Sequence, residues 1–474
     1  MKNSIFRNQK YIRWLVLVIW LVIWYVAAHL VGSGLILPGP HATLMALLKL
    51  VKTKTFYFNV LWTLLRTVIG IAVSFVLGAA FAVLADRSMP VREFLRLPVN
   101  FFKSIPVMAI IIYVILIVRS DWVAVVICFL MCFPIAYTNI LNGLEAIDVK
   151  YRELGAVLGL SSGQMTRFVI RPSLEPQIKA ALSLITAMSW KVVVASEVLA
   201  IPKFSIGYQM LNSKYYLETA DLFAYIIVLI VLSFALEKLV ASLTVLDHSG
   251  LSRAIVKEAQ AADKDVTVYE PASIRFKSVS KSFESEDGGV TKALDDFSCE
   301  FGPGVTGVLA PSGAGKTTMA RLITGLEVPD SGELDTAGDI RTAYLFQEDR
   351  LLPWLNVRGN MLLSVIAKNP TGKDPLEAVE EIAEKLEISD TLGMMPQELS
   401  GGMAHRAALG RTLLFGGNVL ILDEPFRGLD EELKERIIRD IASEIRPEDS
   451  PKTVILITHD EELAERLADK VIRI

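Results

Sequence analysis

The run LAPSGAGKTTMARLI, residues 309–323, joins an apolar strand-like segment to a helical pattern. Glycines at such a turn let backbone N–H groups converge on phosphate oxygens, and the helix that follows points its positive end at them. The expected phosphate contacts are Ser312, Gly313, Ala314, Gly315, Lys316, Thr317 and Thr318. Lys316 should reach the β and γ phosphates, and Thr317 should ligate Mg²⁺. Ala310 stands where a first Gly is usual. If that position needs positive φ, Ala costs on the order of 1 kcal/mol, which weakens the loop without abolishing it. A second run, VLILDEP at 419–425, reads as a buried strand ending in two acids. Asp423 suits a water-mediated Mg²⁺ contact, and Glu424 suits a general base or water-positioning group for attack on a γ phosphate. Two solvated acids at a strand end would explain either one alone, and explain the pair poorly.

Further motifs narrow the class. LSGGM, residues 399–403, begins twenty residues before Val419. It resembles the signature loop of ATP-binding cassette (ABC) ATPases. The resemblance implies that Ser400, Gly401 and Gly402 hold the γ phosphate of ATP bound to a second subunit. Met403 replaces the usual Gln and loses one side-chain hydrogen bond. Also implied are Gln347, in YLFQEDRLLPW, as an Mg²⁺ contact and link to a membrane domain, and Asp430, in FRGLD, at the dimer interface. His459, in VILITHD, would sit near the γ phosphate, and Phe283, in VSKSF, would stack on adenine. Taken singly, His459 reads as a surface residue and Phe283 as core; in this order they read as a cassette over 273–474. The wording FQEDRLLPWLNV resembles the ATPases of nitrate, sulfonate and taurine importers.

The elements that must hold this machinery are of two kinds. The chain has 474 residues, more than one hydrophobic core usually covers. Residues 1–250 carry 22 Lys and Arg against 12 Asp and Glu, and the remainder carries 26 against 40. A basic, apolar first half followed by an acidic second half fits a membrane domain and then a cytosolic one. Concentrated basic runs are missing, which argues against a nucleic acid partner. Three cysteines show no zinc spacing; Cys128 and Cys132, four apart in an apolar run, read as small buried residues. Six spans are expected, near 13–31, 61–85, 98–118, 122–143, 180–200 and 222–244. Lys103, Pro106 and Lys191 interrupt the third and fifth, as helices lining a cavity tolerate. With the amino terminus inside, the cytosolic loops are richer in Lys and Arg than the opposite ones.

One cytosolic stretch, YRELGAVLGLSSGQMTRFVIRPSLEPQI, adds a link between the halves. Glu153, Gly159 and Pro172 match the spacing of the loop that docks ABC importer permeases onto their ATPases, with Leu154 and Gly155 replacing two alanines. An ordinary amphipathic connector is the plainer alternative. LILPGPHATL at 35–44 and SWKVVVASEVL at 189–199 resemble permeases of the same nitrate, sulfonate and taurine branch. Lys191 and Glu197 are candidate pathway residues. Six residues on a helix is about 600°, so the two are poorly placed to neutralise each other.

The expected architecture is therefore an all-α polytopic membrane domain of the type I importer kind, residues 1–246, a polar linker at 247–272, and an α/β P-loop ABC ATPase at 273–474. The function implied is ATP-driven import by a half-transporter that works as a homodimer in a bacterial or archaeal cytoplasmic membrane, with its ATPase in the cytosol. Its cofactors would be ATP and Mg²⁺, and its partners a second copy, an extracytoplasmic solute-binding protein, the lipid bilayer and a small solute; nitrate, sulfonates, taurine and a vitamin precursor all stay open, and an anion is favoured only if Lys191 lines the pathway. An exporter half-transporter would need long cytosolic helices for which the first half has no room. A non-transporting ATP-switched regulator would not need Glu424 and His459 intact.

Overall fold

The computed structural model describes residues 2–244, 248–262, 270–284, 289–309, 311, 313–367, 372–447 and 452–473. Ala310, Ser312 and parts of the expected linker lie outside them. The chain divides into two compact units, one of Met1–Ala146 with Ser173–Val245, the other of Ile147–Pro172 with Leu246–Ile474.

Helices build the first unit: α1 (Lys2–Val31), α2 (Pro40–Leu50), α3 (Lys54–Arg87), α4 (Met89–Ser104), α5 (Val107–Ile117) and α6 (Ser120–Glu145). After an excursion through α7 (Val149–Val157) and α8 (Ser162–Gln164) come α9 (Arg171–Ala200), α10 (Ile206–Tyr215) and α11 (Thr219–Leu243). Among the described residues, five helices are long and apolar enough to cross a membrane: Trp14–Val31, Lys54–Arg87, Ser120–Glu145, Ser162–Ala200 and Thr219–Leu243. The expected third span, 98–118, is not one helix. It falls across α4 and α5, which meet at a 108° bend. Pro106 has no N–H to donate and holds Ile105 in an extended conformation, so the helix stops there. The eleven residues of α5 span roughly 17 Å, about half of a bilayer's hydrocarbon core.

Close packing of α3 on α6 rests on small residues. A side chain at Gly70 would begin 2.5 Å from the Cys128 sulfur, and one at Gly78 would begin 2.4 Å from the Ala136 Cβ. Small residues allow membrane helices this approach. Cys128 and Cys132 are buried there, as expected of small apolar residues. Beside this seam lies a buried ionic cluster. Glu197 on α9 accepts from Thr63 Oγ1 at 3.0 Å, Arg66 Nη1 at 2.9 Å and the Gly207 N–H at 3.2 Å. Arg66 also donates to the carbonyls of Phe204 at 2.7 Å and Asp121 at 3.1 Å. Four elements, α3, α6, α9 and α10, are thereby joined near one carboxylate. Glu197, expected as a pathway candidate, is buried and paired with Arg66. Lys191 lies exposed on α9.

The second unit holds two sheets. One is antiparallel, in the order β2 (Val290–Phe301), β1 (Ser273–Glu284), β4 (Ser331–Ala337). The other is parallel, in the order β5 (Thr342–Leu345), β6 (Val419–Asp423), β7 (Thr453–Thr458), β3 (Gly304–Leu309), β8 (Lys470–Arg473). Every residue of β6 and β7 is buried. Strands covered on both faces need continuous apolar runs, which VLILD and TVILIT supply. Helices accompany the sheets: α12 (His248–Ala261), α13 (Lys316–Ile323), α14 (Val357–Leu362), α15 (Pro375–Lys385), α16 (Gly401–Phe415), α17 (Glu431–Asp440), α18 (Ala442–Ile445) and α19 (Glu461–Leu467).

One feature of this unit was not expected. The 247–272 segment contains α12, whose Ile255 and Ala259 are fully covered in the unit's core. Glu258 of α12 pairs with Arg167, and Gln164 Nε2 reaches the Ile366 carbonyl at 3.1 Å. Leu251, Ile255 and Ala259 recur every four residues, a helical stripe that the polar neighbours obscure. The 147–172 loop also belongs here, with Leu154, Leu158, Phe168 and Val169 in the same core.

Candidate active site

Strand order brings the chemistry to one edge. In the ladder Leu309 stands beside Thr458, and Ile457 beside Asp423. The phosphate loop, the two acids and His459 therefore leave the same end of three adjacent strands, where parallel α/β sheets bind ligands. A cavity of about 430 Å³ opens there. Its walls include Gly313, Gly315, Lys316, Thr317, Thr318, Gln347, Asp423, Glu424 and His459, together with Arg427. Residues as far apart in the chain as Gly313 and His459 thus converge, and nine of those named are among the expected site residues.

The loop geometry explains its glycines. Gly315 caps α13 with φ +85°, and a Cβ on it would sit 2.2 Å from the Ala293 carbonyl oxygen. Only Gly fits at that position. Gly313, at φ +89°, faces open space.

Asp423 is buried, and its Oδ2 has no hydrogen-bond partner among the described residues. Burial pushes its carboxyl up to about 6, with the neighbouring Glu424 charge adding to the rise and Lys316 opposing it. An unpaired buried carboxylate oxygen, Thr317 and Gln347 lining one cavity form a hard-oxygen donor set, which fits Mg²⁺.

Glu424 adopts φ +53°, a left-handed conformation uncommon outside Gly. Its N–H donates to the Ile457 carbonyl at 2.9 Å. The carboxylate accepts from the His459 N–H at 3.1 Å and lies 2.8 Å from His459 Nδ1. His459 itself is largely exposed.

Other expected residues stand apart from the cavity. Ser400 caps α16, accepting from the Met403 N–H at 3.3 Å, so position 403 contributes its backbone whatever its side chain. Gly401 and Gly402 open that helix, and Asp430 caps α17 by accepting from the Leu433 N–H at 3.0 Å. Phe283 is on β1, with Lys281 Nζ 5.5 Å from its ring centroid.

Several residues escaped the sequence reading. Arg321 on α13 donates to Glu153 at 2.7 and 3.0 Å, and Arg350, three residues past Gln347, donates at 2.7 Å. Burial raises the Glu153 carboxyl, but the hydrogen bonds from Arg321 and Arg350 outweigh it and leave the group below the usual carboxylate range. Trp354 Nε1 donates to the Phe168 carbonyl at 2.8 Å, and its ring meets Tyr151 edge-on. Gly159 has φ +63°, and Pro172 lies near the start of α9. His405 on α16 has Nδ1 2.7 Å from Asp349 Oδ1 and Nε2 2.9 Å from the Glu424 carbonyl oxygen. Arg411 donates to the carbonyls of Asp349 at 2.9 Å and Arg350 at 3.0 Å, and burial lowers its guanidinium to about 10. No fixed spacing in the chain announces these long-range pairs.

Comparison with known proteins agrees with this geometry. Residues 294–427 match the family model described as ABC transporter, and residues 70–244 match the binding-protein-dependent transport system inner membrane component. An aliphatic sulfonates import ATP-binding protein of Nocardia farcinica is 38% identical over 208 residues, 43% of this chain and 78% of the relative. The chain belongs to the ABC transporters. A second such import protein, from Granulibacter bethesdensis, is 40% identical over 186 residues of this transporter, 39% of the chain and 74% of the relative. A solved dimeric bacterial ABC transporter cassette aligns with 42% of the transporter and 94% of its own chain at 25% identity, with a TM-score of 0.38. The transporter thus combines a permease component and an ATPase in one multi-pass membrane chain, and its enzymatic activity is ATP hydrolysis coupled to transport.

Proposed function

We propose that the chain is an importer half-transporter for small oxyanionic solutes such as aliphatic sulfonates, sulfate, taurine or nitrate, acting as a homodimer with a solute-binding protein in a bacterial or archaeal cytoplasmic membrane. The observation that carries the reading is the grip on Glu153. Arg321 stands on the helix that follows the phosphate loop, and Arg350 follows Gln347 closely. Both touch the loop that matches an importer docking segment, so ATP-site movements have a direct mechanical route to it. The sulfonate import role named for two relatives supports the solute class.

In this reading Gly313, Gly315 and the start of α13 cradle the triphosphate, and Lys316 holds its β and γ oxygens. Thr317, Gln347 and Asp423 would hold Mg²⁺, which when bound neutralises charge on those oxygens. Glu424 takes a proton from the attacking water, and His459 orients the carboxylate through its Nδ1 and N–H. Ser400, Gly401, Gly402 and Asp430 sit away from this cavity in one chain. A second copy presenting them to the phosphate completes each site, which is the reason for a homodimer. Closure of the ATPase pair then moves the 153–172 loop and switches the membrane unit. Phe283 would supply a face for adenine, and the domains would divide near residues 246 and 273.

The test is uptake by the full chain in proteoliposomes. With a solute-binding protein outside, ATP inside should drive entry of an alkanesulfonate, sulfate, taurine or nitrate, and no entry of a neutral sugar. Export of the loaded anion, or ATPase activity from a strict monomer, would sink the reading. Lys191→Gln should reduce anion uptake while expression and ATPase activity hold; unchanged uptake removes that charge from the pathway.

A further inference from the structure

We propose that His405 is a positioning residue for ATP hydrolysis: its ring ties the Gln347–Arg350 segment and the backbone of Glu424 to the helix that begins with Ser400, Gly401 and Gly402. The proposal rests on the reading of Glu424 as the catalytic carboxylate.

The geometry is specific. His405 is 2% exposed and lies one turn inside α16. Nδ1 stands 2.7 Å from a carboxylate oxygen of Asp349, and Nε2 stands 2.9 Å from the carbonyl oxygen of Glu424. A carboxylate and a backbone carbonyl both accept hydrogen bonds. Each ring nitrogen thus faces an acceptor, and one buried ring touches both segments at once.

Its place gives the clasp a function beyond packing. Glu424 already occupies a strained left-handed conformation, so its carboxylate direction depends on what holds its peptide groups. The Ile457 carbonyl holds the N–H, and His405 holds the C=O. On the other side, Asp349 lies between Gln347, which lines the cavity, and Arg350, which grips Glu153. Arg411, from the same helix as His405, fixes the carbonyls of Asp349 and Arg350. One side chain therefore bridges three segments: the signature helix, the strip leading to the docking loop, and the carboxylate that handles water. Movement of the signature helix as it meets ATP on a second copy is passed to the chain's own Glu424.

The test uses the full chain in lipid nanodiscs, with ATP affinity measured directly beside turnover. His405→Leu should lower kcat by about tenfold or more, as misplacement of a reacting group does, with ATP affinity within about threefold of the parent. His405→Gln keeps two amide hydrogens and should recover most of the lost turnover. If His405→Leu fails to fold, Asp349→Asn probes the same clasp: it should lower kcat, and the Asp349→Asn/His405→Gln pair should lose less than the product of the single losses. Turnover within about twofold of the parent in His405→Leu, or a loss matched by weaker ATP binding, overturns the proposal, as do independent losses in the pair. Hydrolysis that survives Glu424→Gln would overturn the catalytic reading instead, and is scored separately.

Discussion

Removing the Glu153 carboxylate should uncouple ATP hydrolysis from transport. In Glu153→Ala three charge-assisted contacts disappear, two from Arg321 and one from Arg350. Arg321 keeps Glu327 at 3.1 Å, while Arg350, mostly buried, loses its carboxylate partner. Hydrogen bonds to charged groups contribute about 1.5–3 kcal/mol each, and Arg321's retained partner lessens its share. A net cost of about 2–4 kcal/mol follows, a factor of roughly 30 to 700 in the docking equilibrium of the 147–172 loop. Leu154, Leu158 and Phe168 remain buried in the ATPase core and resist full release. The expected result is therefore weakened docking: solute-stimulated ATPase activity and uptake fall more than tenfold, and ATP affinity stays within about twofold, since Glu153 does not line the cavity. Arg350→Ala should show the same split, and the double variant should lose less than both combined. The carboxyl is held below its usual range, so its stabilisation is present above the unfolded value and lost as pH falls through the lowered one. Neutral-range assays thus see the clasp intact. Uptake by Glu153→Ala within twofold of the parent, or strictly additive losses with Arg350→Ala, would refute the argument.

Three further outcomes are expected. Asp423 has its folded value raised to about 6, so it disfavours folding as pH rises from the unfolded value through 6, and a bound proton competes with Mg²⁺ below that point. Mg–ATP affinity should weaken by up to about tenfold per pH unit below 6, and Asp423→Asn should flatten the profile; a parent profile flat from pH 7 to 5 contradicts this. Gly315→Ala puts a Cβ 2.2 Å from the Ala293 carbonyl at φ +85°, so nucleotide binding should be lost at a cost of about 1–3 kcal/mol or more, read by ATP titration of the folded chain. Glu424→Gln should retain ATP and lose hydrolysis by about 10²–10⁴-fold, and mixing it with parent chains should depress turnover of the mixture; turnover within a few-fold of the parent removes Glu424 from the role.

Short-range rules determined much of this protein. The phosphate loop, the acidic strand end and the His459 strand are legible because each needs particular residue types over a few consecutive positions. Long apolar stretches announce membrane helices for the same reason: the bilayer acts on every residue of a span at once. The cavity brought nine of the expected residues together because parallel strands with continuous apolar runs have little choice of partner or register. What only the tertiary structure decided is which distant groups meet. Arg66 was one cation in an apolar helix until α3 and α9 packed and gave it Glu197. Pro106 marked an interruption, and the structure turns it into a 108° bend between α4 and α5. Residues 247–272 are polar on average, but a stripe of Leu251, Ile255 and Ala259, the last two buried, folds α12 onto the ATPase core, where burial of that stripe outweighs the average. His405 is a lone histidine in a helix; only the strand order and the turn of α16 place Asp349 on one side of its ring and Glu424 on the other. Hydrogen bonds of that kind reach across dozens of residues and leave no periodicity in the chain, so the pairs that link the ATP site to the docking loop exist only once the sheet and its helices have closed around them.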